Sequence, residues 1–94
     1  MDKIVVTRHV NLIKYLQEVE GITATQIITH ANEDDVRDKI VIGILPLHLA
    51  SLATEIWEVP INVPLELRGI ELSVEQLKEF AQPMQKYIVR KIDK

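Results

Sequence analysis

The sequence predicts an α/β fold, in which helices cover both faces of a small, mostly parallel four-stranded sheet. Short apolar runs such as residues 4–6 have the length of strands, and stretches with apolar residues at helical spacing lie between them. Strands and helices that alternate along a chain are typical of a parallel sheet between two helical layers. We therefore expect one Rossmann-like three-layer sandwich that spans residues 1–94.

The N-terminal part of the chain predicts a β-α-β unit. The apolar run at residues 4–6 is typical of a buried parallel strand. Residues 10–20 carry apolar side chains at helical spacing, and Gly21 is suited to end that helix in the left-handed conformation. Residues 22–29 predict the second strand, and the crossover between two such strands is right-handed in nearly all proteins.

The middle of the chain predicts the centre of the sheet. Residues 31–38 contain four acids and predict a loop or a single helical turn. Residues 39–45 are the most apolar of the predicted strands. Pro46 suits the first turn of a helix, where its missing N–H is tolerated, and we expect that helix over residues 47–55.

The next segment predicts an exposed edge of the sheet. Residues 56–63 predict a short strand, and Pro60 and Pro64 indicate an edge position because proline cannot donate to a ladder of hydrogen bonds. The apolar segment 64–72 should pack over the carboxyl edge of the sheet or against a partner subunit. An edge strand and a modest core favour a homodimer, since two-fold dimers are the commonest oligomers.

A last helix is predicted from a capping box. Ser73 and Gln76 have the spacing at which each side chain satisfies the other residue's backbone N–H. Pro83 should kink this helix or divide it in two. Its apolar face is expected to comprise Leu77, Phe80, Ala81, Met84 and Ile88.

Composition restricts the classes of function. The formal charge is −3 at pH 7 and the pI is about 5.5, which argues against non-specific binding to DNA or long RNA because that requires many neutralised phosphates. Cysteine is absent, which excludes disulfides, thiolate nucleophiles and cysteine metal sites. Charged residues interrupt every apolar run before the ~20 residues of a membrane span. With no apolar leader at the N-terminus, we expect a cytoplasmic protein.

Polar side chains follow several of the predicted strands. In open α/β sheets, ligands bind beyond the carboxyl ends of the strands. These residues are therefore expected to converge on one site, unless they merely cap strand ends. They are Thr7, Arg8 and His9 after the first strand, and His30, His48 and Asn62 at or beyond later strand ends.

The segment Gly43-Ile44-Leu45-Pro46 has two interpretations. It could cradle a phosphate, because a strand-to-helix turn offers free backbone N–H groups. Alternatively, Gly43 permits the close approach of another backbone, and Pro46 simply begins a helix. Neither G-x-G-x-x-G nor G-x-x-x-x-G-K occurs, so the fingerprints of dinucleotide and nucleoside-triphosphate sites are absent.

A metal site is the rival use of three histidines. No two of them have the i, i+4 spacing of ligands on one helix face. The only carboxylates expected beside them belong to the acidic segment 33–35, which is typical of a solvated loop. We therefore expect no metal and no other cofactor.

Three segments together resemble a known family. They are Val6-Thr7-Arg8-His9 at the first strand exit, Val41-Ile42-Gly43-x-Leu45-Pro46-x-x-Leu49-Ala50 in the middle, and Pro64-x-Glu66-Leu67-Arg68-Gly69-x-Glu71-Leu72-Ser73 near the end. In this order, over almost the whole chain, they resemble the small ring nucleases, CRISPR-associated proteins encoded beside type III CRISPR systems of prokaryotes. One departure is Ile44, where a small hydroxyl residue is expected.

The resemblance implies a homodimer whose fold is related to the CRISPR-associated Rossmann sensor domains. It implies binding of a cyclic oligoadenylate, above all cyclic tetra-adenylate, and metal-independent opening of the ring, which switches off an antiviral defence signal. On this chain it makes Arg8, His9 and His30 the candidates for catalysis. The candidates for substrate binding are Thr7, Gly43, Ile44, Leu45, Pro46, His48, Asn62 and Arg68.

Three other functions stay open. A non-catalytic sponge or sensor for cyclic oligoadenylates would use the same pocket. A phosphohydrolase is suggested by Arg8-His9 after the first strand, because histidine phosphatases have an R-H-G motif there, although Val10 replaces the glycine. A purely structural partner protein would require the polar strand ends to be coincidental.

Overall fold

Five strands form one sheet at the centre of the protein. The structure, a computed structural model, describes residues 2–24 and 26–93. The order across the sheet is β2-β1-β3-β4-β5. The first four strands are parallel, and β5 runs antiparallel to β4. The strands are β1 (Lys3–Val6), β2 (Gln26–Ile28), β3 (Ile40–Gly43), β4 (Glu55–Glu58) and β5 (Gln85–Tyr87).

Helices lie on both faces of this sheet. They are α1 (Val10–Glu18), α2 (Glu33–Val36), α3 (Leu47–Ala50) and α4 (Val74–Phe80), with a further 3-10 turn at Leu65–Leu67. Helix α1 contacts α4, and α2 contacts α3. Within the described ranges, no helix is long and apolar enough to cross a bilayer.

The core is divided by the sheet, because successive side chains of a strand point to opposite faces. On one face Ile4, Val41 and Ile56 pack with Val36 of α2 and Leu49 of α3. On the other face Val5, Ile42 and Trp57 pack with Tyr15 and Leu16 of α1 and Leu77 of α4. Each fully buried aliphatic side chain stabilises the fold by about 1.5–3 kcal/mol. The predicted α/β class, mostly parallel sheet and two helical layers are confirmed.

The sheet has five strands rather than the four predicted. The last helix, expected to continue through Met84 and Ile88, ends at Phe80. Pro83 lacks a backbone N–H and its ring clashes with the preceding turn, so the helix cannot pass through it. Beyond this proline, residues 85–87 pair with β4 instead.

Strand β4 lies inside the sheet, so the prediction of an edge position is wrong. The strand ends at Glu58, before Pro60 and Pro64, and neither proline interrupts its hydrogen bonds. Its outer side pairs with β5, with Trp57 opposite Lys86. The expectation of a strand over residues 56–63 was therefore too long at its C-terminal end.

Capping boxes fix the beginnings of two helices. The predicted box at α4 is confirmed: Gln76 N–H donates to the Ser73 hydroxyl, and Ser73 N–H donates to the Gln76 side chain. Segment 31–38 forms the single helical turn α2, which begins with an equivalent box between Asn32 and Asp35.

Helix α3 and strand β2 are also shorter than predicted. Helix α3 is one turn rather than residues 47–55, because residues 51–54 turn the chain so that Glu55 can enter β4. Strand β2 covers residues 26–28, and residues 22–24 of the expected strand lie outside it.

Two lysines lie over the ring of Trp57. The Lys86 and Lys3 ammonium groups are 4.1 Å and 4.9 Å from the ring centre. The indole N–H donates to Glu55 Oε1 at 2.7 Å. Cation–π contacts of this kind contribute about 0.5–1 kcal/mol each at exposed sites. They connect β5 with the inner strands through side chains as well as through backbone hydrogen bonds.

Candidate functional site

The carboxyl ends of β1 and β3 form a topological switch point. From β1 the chain runs to β2 on one side, whereas β3 lies on the other side of β1. Such a reversal leaves a crevice beyond the strand ends, where open α/β sheets bind ligands. Thr7, Arg8 and His9 leave β1 at this crevice, and Thr7 N–H is bonded to the Ile28 carbonyl of β2 at 3.0 Å.

A pocket of about 500 Å³, here called the switch-point pocket, occupies this crevice. Its volume is within the range of small-molecule sites, roughly 300–1,000 Å³. Apolar side chains of Leu12, Leu16 and Ile42 form part of the lining. Its polar side chains come from three strand ends: Thr7, Arg8 and His9 after β1, Thr29 and His30 after β2, and Glu58 on β4.

A second pocket of about 850 Å³, the loop pocket, shares Arg8, His9, Leu12 and Ile61 with the first. Much of its wall is segment 63–72, which includes Arg68 and Glu71. This segment therefore packs at the carboxyl edge of the sheet, one of the two positions expected for it. Arg8 and His9 belong to the wall that the two pockets have in common.

Gly43 is explained by the close contact of β3 with β1. Its φ is +140°, and a Cβ at this position would lie 2.3 Å from the Val6 carbonyl oxygen. No real side chain tolerates such a distance. Of the two interpretations of the segment, the approach of another backbone accounts for this glycine. The contact lies between the two strand ends that border the switch-point pocket.

His9 pairs with Glu71 across the mouth of the site. The distance from His9 Nδ1 to Glu71 Oε2 is 2.7 Å, and the two side chains are 56% and 47% exposed. The backbone N–H of His9 donates to Thr7 Oγ1 at 3.1 Å. The side-chain amide of Asn11 donates to the Leu72 carbonyl at 2.9 Å, which fixes the chain beside Glu71.

This pair corrects the expectation that carboxylates beside the histidines come only from segment 33–35. That segment forms α2, and its acids do not line either pocket. The carboxylate that does reach a histidine belongs to Glu71, 62 positions away in the sequence. The long-range fold, rather than local spacing, brings these two residues together.

The structure brings together seven of the predicted site residues. Thr7, Arg8, His9, His30, Gly43 and Ile44 line the switch-point pocket, and Arg68 lines the loop pocket with Arg8 and His9. The remaining four, Leu45, Pro46, His48 and Asn62, line neither.

Each of the residues that lie apart has another place in the fold. Leu45 packs against the core on the α2–α3 face of the sheet, and Pro46 precedes α3 as its N-cap. His48 is exposed on α3. The backbone N–H of Asn62 donates to the Phe80 carbonyl. The expected convergence of three histidines is thus reduced to two, His9 and His30.

Sequence reasoning missed Glu71, Glu58 and Leu12 as lining residues. Glu71 stands in the motif of residues 64–73, but nothing in its spacing identifies His9 as its partner. Glu58 lies in β4, where its acidic character did not distinguish it from other surface acids. Leu12 has the spacing of a core residue of α1, and it lines both pockets as well.

The chemistry available at the two pockets is that of phosphate binding and proton transfer. Arg8 makes no salt bridge among the described residues, so its guanidinium can neutralise a bound anion. Two imidazoles line the same pocket, and imidazole is the side chain most often used as a general acid or base. Within residues 2–24 and 26–93, no group of three or more His, Cys, Asp or Glu side chains could hold a metal ion.

A comparison with protein families places the chain. Residues 4–90 match the family model described as "Putative CRISPR-associated protein (Cas_VVA1548)". Neither the curated proteins nor the solved structures that were searched gave a match. The family match extends from β1 through β5 and includes every residue that lines the two pockets. The chain therefore belongs to the Cas_VVA1548 family of CRISPR-associated proteins.

Proposed function

We propose that this protein binds a cyclic oligoadenylate, preferentially cyclic tetra-adenylate, and opens the ring without a metal cofactor. Such an activity would switch off type III CRISPR signalling. The observation that carries the proposal is the position of Arg8 and His9, at the switch point and on the wall between two pockets. Membership of a CRISPR-associated family supports a role connected with CRISPR defence.

The proposed reaction uses the ribose 2′-hydroxyl of the substrate as the nucleophile. Its oxygen attacks the adjacent phosphorus, the bond to the 5′-oxygen breaks, and a 2′,3′-cyclic phosphate remains. The protein has to align these atoms and stabilise the charge on phosphorus. Arg8 supplies a fork of N–H donors for the phosphate oxygens, and His9 or His30 accepts or donates the proton.

A net-acidic protein can still bind a ring of phosphates when its cations are concentrated at one place. Arg8 and Arg68 both line the loop pocket, and neither forms a salt bridge among the described residues. Glu71 is the one carboxylate in this lining, beside two guanidinium groups, and such an excess of positive charge raises the local concentration of an anionic ligand. The proposal therefore depends on this local field and not on the net charge of −3.

A homodimer is part of the proposal. Each protomer would contribute one Arg8, and a ring of four identical nucleotides has a two-fold axis that matches such a pair. Exposed apolar side chains beside the pockets support an interface at this edge of the sheet. Ile44 is 76% exposed and lines the switch-point pocket, and Ile70 is 59% exposed and lines the loop pocket.

The test is incubation of the purified protein with cyclic tetra-adenylate and cyclic hexa-adenylate in EDTA, with products resolved by mass. We expect linear products with a 2′,3′-cyclic phosphate from the tetra-adenylate. Arg8→Ala should lower the rate by about 100-fold or more, the usual effect of removing a preorganised donor. Arg37→Ala is the matched control, because Arg37 is exposed and lines neither pocket.

Three outcomes would contradict parts of the proposal. Tight binding without any product would identify a sponge or sensor, which is the alternative function. If the protein neither binds nor opens either ring, the ligand class is rejected. Equal rates for Arg8→Ala and Arg37→Ala would remove Arg8 from the mechanism.

A further inference from the structure

The contact between His9 and Glu71 determines which ring nitrogen of His9 can act as a base. Glu71 Oε2 lies 2.7 Å from Nδ1, and an ionised carboxylate can only accept hydrogen bonds. Nδ1 must therefore carry a proton when this bond forms. In a neutral imidazole the other nitrogen, Nε2, is then unprotonated and able to accept a proton.

Hydrogen bonds from neighbouring side chains hold the backbone on both sides of this contact. His9 is the N-cap residue of α1, and its N–H is bonded to the Thr7 hydroxyl. Glu71 is followed by Leu72, whose carbonyl accepts a hydrogen bond from the Asn11 side chain in the first turn of α1. Asn11 thus ties the Glu71 segment to the helix that His9 begins.

We infer that Glu71 is a positioning residue, which orients the His9 ring and makes Nε2 the proton acceptor. This inference rests on the proposed ring-opening activity and names the base for it. His30 also lines the switch-point pocket, but its ring has no hydrogen-bond partner among the described residues. A base oriented by a third group is the arrangement that activates hydroxyl nucleophiles in many enzymes.

The proton and bond changes in the proposed step balance. His9 Nε2 takes the proton of the ribose 2′-hydroxyl as the 2′-oxygen forms its bond to phosphorus. The bond from phosphorus to the 5′-oxygen breaks, and that oxygen takes a proton from solvent water. The imidazolium, stabilised by the Glu71 carboxylate, then returns its proton to solvent. No oxidation or reduction occurs.

The first experiment measures the tautomer of His9 directly. Nitrogen-15 NMR of histidine-labelled protein distinguishes protonated from unprotonated ring nitrogens at a mildly alkaline pH, where imidazole is neutral. Spectra of His9→Gln and His30→Gln assign the signals. We expect a protonated Nδ1 and an unprotonated Nε2 for His9, and a mixture of the two forms in Glu71→Gln, because an amide can donate as well as accept.

The second experiment measures ring opening in EDTA. We expect Glu71→Gln to lower kcat by about tenfold, equivalent to ~1.4 kcal/mol, with little change in KM. The effect is modest because both side chains are about half exposed. Glu71→Asp should restore part of the rate. Glu66→Gln is the matched control, because Glu66 carries the same charge in the same segment and lines neither pocket.

The combined results separate this inference from the proposed function. If wild-type protein opens neither ring while His9 has the expected tautomer, the proposed reaction is rejected and the positioning contact is supported. If the wild type is active but Glu71→Gln matches Glu66→Gln, the role of Glu71 is overturned. An unprotonated Nδ1 of His9 in the wild type would also overturn this role. So would an additional tenfold loss of rate when Glu71→Gln is added to His9→Gln, because Glu71 would then not act through His9.

Discussion

Replacing Gly43 by alanine is expected to destabilise the fold by about 2–6 kcal/mol. Two effects add at this position, and both follow from its geometry. The φ of +140° is a conformation that L side chains rarely adopt, and such strain costs about 1–3 kcal/mol. The added methyl group would lie 2.3 Å from the Val6 carbonyl oxygen, and overpacking of a core typically costs another 1–3 kcal/mol.

The matched control for Gly43→Ala is Gly69→Ala. Gly69 also has a positive φ, of +83°, but a Cβ there would meet nothing within 4 Å. This substitution therefore carries the backbone strain without the clash. Because a small domain is stable by only about 5–15 kcal/mol, the difference between the two variants should be large enough to measure.

Urea unfolding followed by the fluorescence of Trp57, the single tryptophan, provides the assay. With a slope of ~1–3 kcal/mol per molar urea, the midpoint of Gly43→Ala should fall by ~1 M or more and lie below that of Gly69→Ala. Equal midpoints for the two variants would refute the steric argument. They would mean that β1 and β3 separate at this end without an energetic penalty.

Two smaller effects test other parts of the fold. Ser73→Ala removes the acceptor for Gln76 N–H in the capping box of α4. It should reduce the free energy of unfolding by about 1 kcal/mol, with Ser51→Ala as a control. A reduction of less than a few tenths of a kcal/mol would contradict a stabilising box. Burial, with a smaller contribution from the Glu20 carboxylate, raises the pKa of Tyr15 above its usual value of 10.0. The unfolded chain therefore loses this proton first as the pH rises above 10, so stability should decline there. In Tyr15→Phe, the free energy of unfolding obtained from urea titrations should decline less with rising pH than it does in Tyr87→Phe. Equal declines in the two variants would refute the assignment of this effect to Tyr15.

Local signals allowed much of the fold to be predicted. The first strand, the helix after it and the Ser73–Gln76 box depend on neighbours in sequence, and each was expected close to its observed place. Strand β5 could not be predicted in this way. Its residues 85–87 are all exposed, so no apolar alternation marks them, and the backbone of β4 provides their partner. The helical spacing of Met84 and Ile88 instead suggested that the last helix continued.

The candidate site shows the same limit at the level of side chains. Thr7, Arg8 and His9 could be found because polar residues directly follow a buried strand. Their partner Glu71 could not, because only the packing of segment 63–72 brings it to His9. Gly43 allowed two interpretations until the position of the Val6 carbonyl was known. His48 follows a strand in sequence, but the short helix α3 carries it away from both pockets.

Strand β5 also has a consequence for the behaviour of the protein in solution. An unpaired strand edge is a template for pairing with another chain. Strand β5 covers the outer edge of β4. Strand β4 carries Ile56 and Trp57 into the two halves of the core. Only three residues form this cover, and all three are exposed. Lys86 adds a second attachment through its contact with the Trp57 ring. Detachment of this segment, which contributes little to the core, would expose the edge of β4, and Trp57 emission would report that detachment without an added label.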